Sequence, residues 1–143
     1  MIAVDANVLV YAHRPDSPLH SQAAAAVRGL AEGGAPWALP WPCLHEFYGV
    51  VTNPRVFPRP TPPAIALDQI AAWAESPTLR LLSESSLHLH TLGGLLSSAN
   101  LTGPAVHDAK VAAICLDHGV RELLSMDRDF SRFPALATRS LLA

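Results

Sequence analysis

Short apolar runs alternate with longer stretches of helical character along the whole chain. Residues 2–4, 37–39, 79–82 and 122–126 read as strands. Residues 19–30 read as a helix stopped at Gly33-Gly34, and Pro42 opens a second helix that runs to about Val51. Residues 62–75 form another helix, closed before Pro77, and residues 87–99 a further one. Pro104 opens the last helix, which ends at Gly119. Strands alternating with helices imply βαβ units and a parallel sheet covered by helices on both faces. Crossovers in such a sheet are right-handed, and ligands sit beyond the carboxyl ends of the strands. The fold class is therefore α/β.

The 143 residues fit one domain, spanning 1–143. Charged residues make up 15% of the chain, against about 25% in ordinary proteins, which argues against disorder. Cys43 and Cys115 are too few for a disulfide scaffold or a zinc cage. The apolar stretches are soon broken, by Asp5, Asp68 or Asp108, so no membrane span is expected. Met1-Ile2-Ala3-Val4-Asp5 has no basic lead, so a cytoplasmic location is the expectation. The net charge of −2 announces no basic field for nucleic acid, although a bound metal reverses the sign locally. Prolines cluster between Pro36 and Pro63, and residues 52–63 read as a stiff loop between helices.

The acids carry the chemistry. Asp5 and Asp127 both follow apolar strands, which places them at the ligand edge of a parallel sheet. Asp5 serves equally well as a cap for the turn that follows, and Asp127 as a turn residue. At about 100° per residue, Val111, Ala112, Cys115 and Leu116 bracket Asp108, so its carboxylate is expected on the apolar face, with Lys110 on the opposite arc. A cap near the helix start is the alternative. Glu46 lies at the edge of the stripe formed by Cys43, Phe47, Val50 and Val51, where a solvated helix charge bordering the core is the alternative. Carboxylates brought together repel unless a cation joins them, and oxygen-only ligands select Mg2+ or Mn2+ over zinc. Such sites serve phosphoryl transfer or phosphodiester hydrolysis.

Four segments together resemble the PIN-domain ribonucleases, and most closely the VapC-type toxins of bacterial toxin–antitoxin pairs. They are residues 1–12 (MIAVDANVLVYA), 40–47 (PWPCLHEF), 107–113 (HDAKVAA) and 124–133 (LSMDRDFSRF). The resemblance covers almost the whole chain. It implies a single PIN domain with a parallel sheet of about five strands. It implies an endoribonuclease dependent on Mg2+ or Mn2+, with Asp5, Glu46, Asp108 and Asp127 as the catalytic acids and Asp5 and Asp108 as the main metal ligands. Asp129 offers a fifth carboxylate, so the fourth position falls to Asp127 or Asp129. Cys43 stands where many relatives carry Ser or Thr. The implied partners are an RNA substrate, a cognate antitoxin and a second copy of the chain, with the helices at 19–32 and 62–75 as candidate contact faces. Asn7 is a candidate to hydrogen-bond a ligating carboxylate. Arg14, Arg128 and Arg132 are candidates to hold RNA phosphates, with solvated surface charge as the alternative for each.

Other chemistries lack their signatures. The only lysine, Lys110, follows Ala109, so there is no P-loop, and no G-x-G-x-x-G is present. His45-Glu46 opens like a zinc-protease motif, but Gly49 occupies the second histidine's place. No G-x-S-x-G supports a hydrolase elbow. An aspartyl phosphatase needs a second Asp where Asn7 stands. His88 and His90 fall on different helix faces and read as surface. A non-cleaving PIN-like module that binds RNA or a partner is the competing function, and it gives no reason to retain all four acids.

Overall fold

The structure is a computed structural model and describes residues 1–142. Five strands, β1 (Ile2–Val4), β2 (Trp37–Pro40), β3 (Leu79–Leu82), β4 (Glu122–Leu124) and β5 (Ala137–Arg139), form one sheet in the order β3-β2-β1-β4-β5. Every pairing is parallel. The helices are α1 (Ala6–His13), α2 (His20–Glu32), α3 (Trp41–Val51), α4 (Pro63–Ala74), α5 (His88–Ser98) and α6 (Val106–Asp117). The chain starts at the centre of the sheet, grows outward through β2 and β3, then returns to build β4 and β5 on the other flank.

Strand alternation divides the core into two layers. Val4, Trp37, Leu39 and Leu124 pack with α1, α2, α3 and α4, together with Phe47 and Trp73. Ala3, Ala38 and Leu123 face the other way, onto Ala109, Ala112 and Cys115 of α6 and onto Phe130 and Phe133. Small residues on both sides of that contact let α6 lie close to the middle of the sheet.

Three elements differ from the sequence reading. The residues themselves suggest four strands; the fifth, β5, is exposed along its whole length and carries no apolar run. It forms by pairing with β4 (Glu122 opposite Ala137), so its cause is tertiary. The turn after Asp5 extends into a full helix to His13. Gly103–Ala105 forms a 3-10 turn, so α6 begins at Val106 and Asp108 falls in its first turn.

Candidate active site

The sheet's order reverses between β1 and β4, and a ligand crevice belongs at the carboxyl ends of those two strands. Asp5 leaves β1 there and caps α1, its Oδ1 accepting from the Ala6 N–H at 2.8 Å. Capping and facing the crevice are thus properties of one side chain. Only 6% exposed, it also accepts from Ser125 Oγ at 2.7 Å through Oδ2, and Cys43 Sγ lies 3.6 Å from Oδ1. Asn7 Nδ2 reaches Asp5 Oδ2 at 3.4 Å, while Asn7 Oδ1 accepts from the Met126 N–H at 3.2 Å. Asn7 therefore fastens α1 to the segment after β4. Ser125 Oγ accepts from the Asp127 N–H at 3.0 Å, so one hydroxyl positions two of the acids.

Asp127 opens the 3-10 turn Arg128–Arg132, its Oδ1 accepting from the Asp129 N–H at 2.9 Å. Asp108 is half-buried rather than packed in the core; Ala109 takes the buried position instead. The late start of α6 causes this, because the first turn stands at the sheet edge. Glu46, on α3, lies exposed at the rim.

These residues share one cavity of about 270 Å3. Its polar lining is Asp5, Asn7, Glu46, Asp108 and Asp127, and its apolar lining includes Val10, Tyr11, Val50, Val56 and Phe57. Asp5, Glu46 and Asp108 also border a second depression, which His107 and Lys110 complete. Lys110, expected on the solvent arc, is half-buried beside the acids.

Burial pushes the Asp5 carboxyl above its usual range, and the Asp127 charge adds to this; hydrogen bonds from Ser125, Ala6 and Cys43 oppose it. Burial likewise raises Glu46, followed by the charges of Asp5, Asp108 and Asp127. Asp108 is raised by burial and then by Asp127 and Asp5, with Arg132 opposing. Burial, and then the Asp5 charge, hold the Cys43 thiol far above its ordinary range. Cys43 is therefore placed as a thiol donor to Asp5 Oδ1.

A divalent cation suits this donor set. One oxygen each of Asp108, Asp127 and Asp129 lie within 4.8 Å of one another. The cation that meets them is Arg132, 3.5 Å from Asp108 and 3.4 Å from Asp129. Asp5 stands beside this trio, with both of its oxygens already accepting from protein donors. Asp127 lines the cavity, whereas Asp129 has a side chain 67% exposed and faces Arg132.

The arginine readings divide. Arg14 is not a phosphate contact: it is 8% exposed, pairs with both carboxylate oxygens of Asp16, and donates to the Arg59 carbonyl and Thr61 Oγ1. Its guanidinium carbon also lies 4.1 Å from the centroid of the Phe57 ring. Arg132 sits among the acids, and Arg128 is exposed. Sequence reasoning gave no role to Ser125, Tyr11 or Phe57; the serine two residues before Asp127 was the available signal for the first.

The PIN domain family profile matches residues 2–136. The chain is 37% identical over 139 residues to VapC ribonuclease Mb2897 of Mycobacterium bovis, covering 97% of this chain and 94% of that one. It is 32% identical over 133 residues to Ribonuclease VapC37 of Mycobacterium tuberculosis, covering 93% and 92%. In fold it is similar to VapBC2 from Rickettsia felis, solved bound to a promoter DNA fragment, with TM-score 0.69, 19% identity and 98% of both chains covered. It is similar too to VapC20 of M. tuberculosis, a sarcin–ricin loop cleaving toxin, with TM-score 0.67 and 18% identity over 92% of this chain and 93% of that one.

Proposed function

Because the chain belongs to the PIN-domain family and to its VapC ribonucleases, we propose that it is the toxin of a toxin–antitoxin pair, an endoribonuclease dependent on Mg2+ or Mn2+. The observation that carries this is the convergence of Asp5, Glu46, Asp108 and Asp127, from four separate segments, on one cavity. Asp5, Asp108 and Asp127 are the residues that would hold the cation, with Asp127 as the fourth acid and Asp129 as the partner of Arg132. A bound divalent cation lowers the pKa of water and neutralises charge on a phosphate.

The chain's own groups do the rest. Ser125 and Asn7 fix the Asp5 carboxylate, and Ser125 fixes the start of the Asp127 turn. Glu46, at the rim with a raised proton affinity, takes the proton of the attacking water on its carboxylate. Lys110 and His107 border the acids on the second depression and suit the neighbouring phosphates. In-line attack by water leaves a 5′-phosphate and a 3′-hydroxyl and makes no use of the RNA 2′-hydroxyl.

The partners in this reading are an RNA substrate, a cognate antitoxin and a second copy of the chain. α4 exposes Ile65 and Leu67, and α5 precedes its first turn with exposed Leu87 and carries exposed Leu89. These apolar surfaces suit protein contacts. A cytoplasmic location accords with RNA as substrate; among the described residues no helix is long and apolar enough to cross a membrane.

The test is incubation of the purified protein with single-stranded RNA and Mg2+ or Mn2+, with and without EDTA. Cleavage that stops on chelation and returns with Mn2+ is expected. RNA left intact in both metals refutes the proposal and favours a non-cleaving module.

A further inference from the structure

The acids account for only part of the cavity. The remainder is an apolar shelf of Val10, Tyr11, Val50, Val56 and Phe57. Val56 and Phe57 belong to the proline-rich loop between α3 and α4, and that loop is pinned. Val56 and Phe57 N–H groups both donate to the Asn53 carbonyl, at 3.0 and 3.1 Å, and the Thr61 N–H donates to the Val51 carbonyl at 2.8 Å. His13 reaches Thr61 Oγ1 at 3.1 Å and Gln69 at 3.0 Å, tying the loop to α1 and α4. Arg14 donates to the Arg59 carbonyl at 2.8 Å and stacks its buried guanidinium on the Phe57 ring. The cavity therefore has a fixed aromatic wall beside a carboxylate wall.

A nucleotide has the matching division: an anionic phosphate joined to a flat, largely apolar base. At about 30 Å3 per water in the liquid, the 270 Å3 cavity holds far more than an ion and its water. The shelf presents the Tyr11 hydroxyl as its one side-chain polar group. That composition suits ring stacking, which accepts any base, better than reading a base edge. In an A-form duplex the bases are stacked on each other and unavailable, whereas unpaired bases splay onto aromatic side chains.

Resting on the ribonuclease reading above, we infer that Phe57, braced by Arg14, and Tyr11 form a stacking platform for the unpaired nucleobase next to the scissile phosphate.

The experiment uses random-sequence single-stranded oligoribonucleotides to locate a cleaved bond. An oligomer of that sequence is then made intact, or with an abasic ribose at the nucleotide on either side of the bond. With wild-type protein, one of the two abasic positions is expected to lower kcat/KM by about tenfold, in keeping with the loss of one base–aromatic stack. With Phe57→Leu, which keeps apolar volume, the intact oligomer is expected to fall to a similar level and the abasic replacement to have little further effect. Wild-type cleavage indifferent to both abasic positions overturns the inference, whatever the variant does. So does a Phe57→Leu enzyme that cleaves the intact oligomer at the wild-type rate, the result expected if the shelf receives a protein segment instead. If wild-type protein cuts no oligomer at all, the ribonuclease reading fails first and takes this inference with it.

Discussion

Ser125 Oγ donates to Asp5 Oδ2 at 2.7 Å, joining residues 120 positions apart at the carboxyl ends of two adjacent strands. The bond stabilises the ionised form of a buried carboxylate that burial otherwise pushes toward protonation. Ser125→Ala removes the donor and also the acceptor of the Asp127 N–H. The expected cost is about 1.5–3 kcal/mol in denaturant unfolding, the range for a hydrogen bond to a charged group. The acidic limb of the pH–rate profile should move to higher pH, because the Asp5 carboxyl loses a bond that lowers its pKa. Ser125→Thr keeps the hydroxyl and should restore most of both. An unchanged acidic limb in Ser125→Ala would show that Asp5 ionisation does not govern the rate.

Replacing Asp5 or Asp108 by Asn is expected to lower cleavage at least about 100-fold, beyond the 10–100-fold typical of losing a group that only supports a metal ligand. Circular dichroism should report an intact fold. For Asp108→Asn the metal-free protein should melt higher than wild type, since the Asp108 carboxylate is crowded by Asp127, Asp5 and Asp129. Wild-type turnover in either variant would remove it from the site.

Arg14 and Lys110 should separate structure from binding. Arg14→Ala loses the bonds to Arg59 and Thr61 and the support of Phe57. Unfolding should show a loss of about 1–3 kcal/mol, with the salt slope of RNA affinity unchanged. Lys110→Ala should keep its stability while flattening that slope by roughly 0.7, the share of one phosphate contact on a single strand. The opposite pattern would restore Arg14 as a phosphate contact.

Arg132 occupies the electrostatic position that a cation would share. Removing it leaves Asp108 and Asp129 without their guanidinium partner. Arg132→Ala should therefore tighten Mn2+ binding, measured calorimetrically without RNA, by about two- to fivefold, the scale of a half-exposed ion pair. Weaker Mn2+ binding in the variant would mean that Arg132 organises the acids rather than competing for them.

The layout of strands and helices was legible because apolar runs and helix boundaries are local. β5 was not: Ala137, Thr138 and Arg139 are exposed, and only β4 beside them makes a strand. Asp5, Glu46, Asp108 and Asp127 stood out because acids are scarce in this chain and two of them follow strands. The half-buried depth of Asp108 is not legible, since helical periodicity gives a direction around an axis but not where the helix meets the sheet edge. The position of Lys110 beside the acids is hidden for the same reason. Both readings of Arg14, phosphate contact and surface charge, assume exposure, because no local pattern shows that a guanidinium is enclosed by a loop more than 40 residues away. Phe57 was hidden in a proline-rich loop whose composition announces stiffness but not what it faces.

The raised carboxyls also fix how stability responds to pH. Asp5, Glu46 and Asp108 all hold protons more tightly in the folded protein than in the unfolded chain, whose values are near 3.9 for Asp and 4.3 for Glu. Between those values and the raised ones, the native state binds more protons, so stability falls as pH rises. In EDTA the protein should therefore gain stability, read as a rise in Tm, as pH is lowered through the raised carboxyl values toward the ordinary ones. Asp16 and Asp117, whose carboxyls are lowered by hydrogen bonds from Arg14, Thr91 and Ser85, oppose this only below their ordinary values. A cation binds the deprotonated carboxylates, so saturating Mn2+ should reverse the slope and make neutral pH the more stable condition. Asp108→Asn should flatten both responses, which ties them to the acidic site. A Tm that changes with pH identically in EDTA and in Mn2+ would mean that these acids take up no cation.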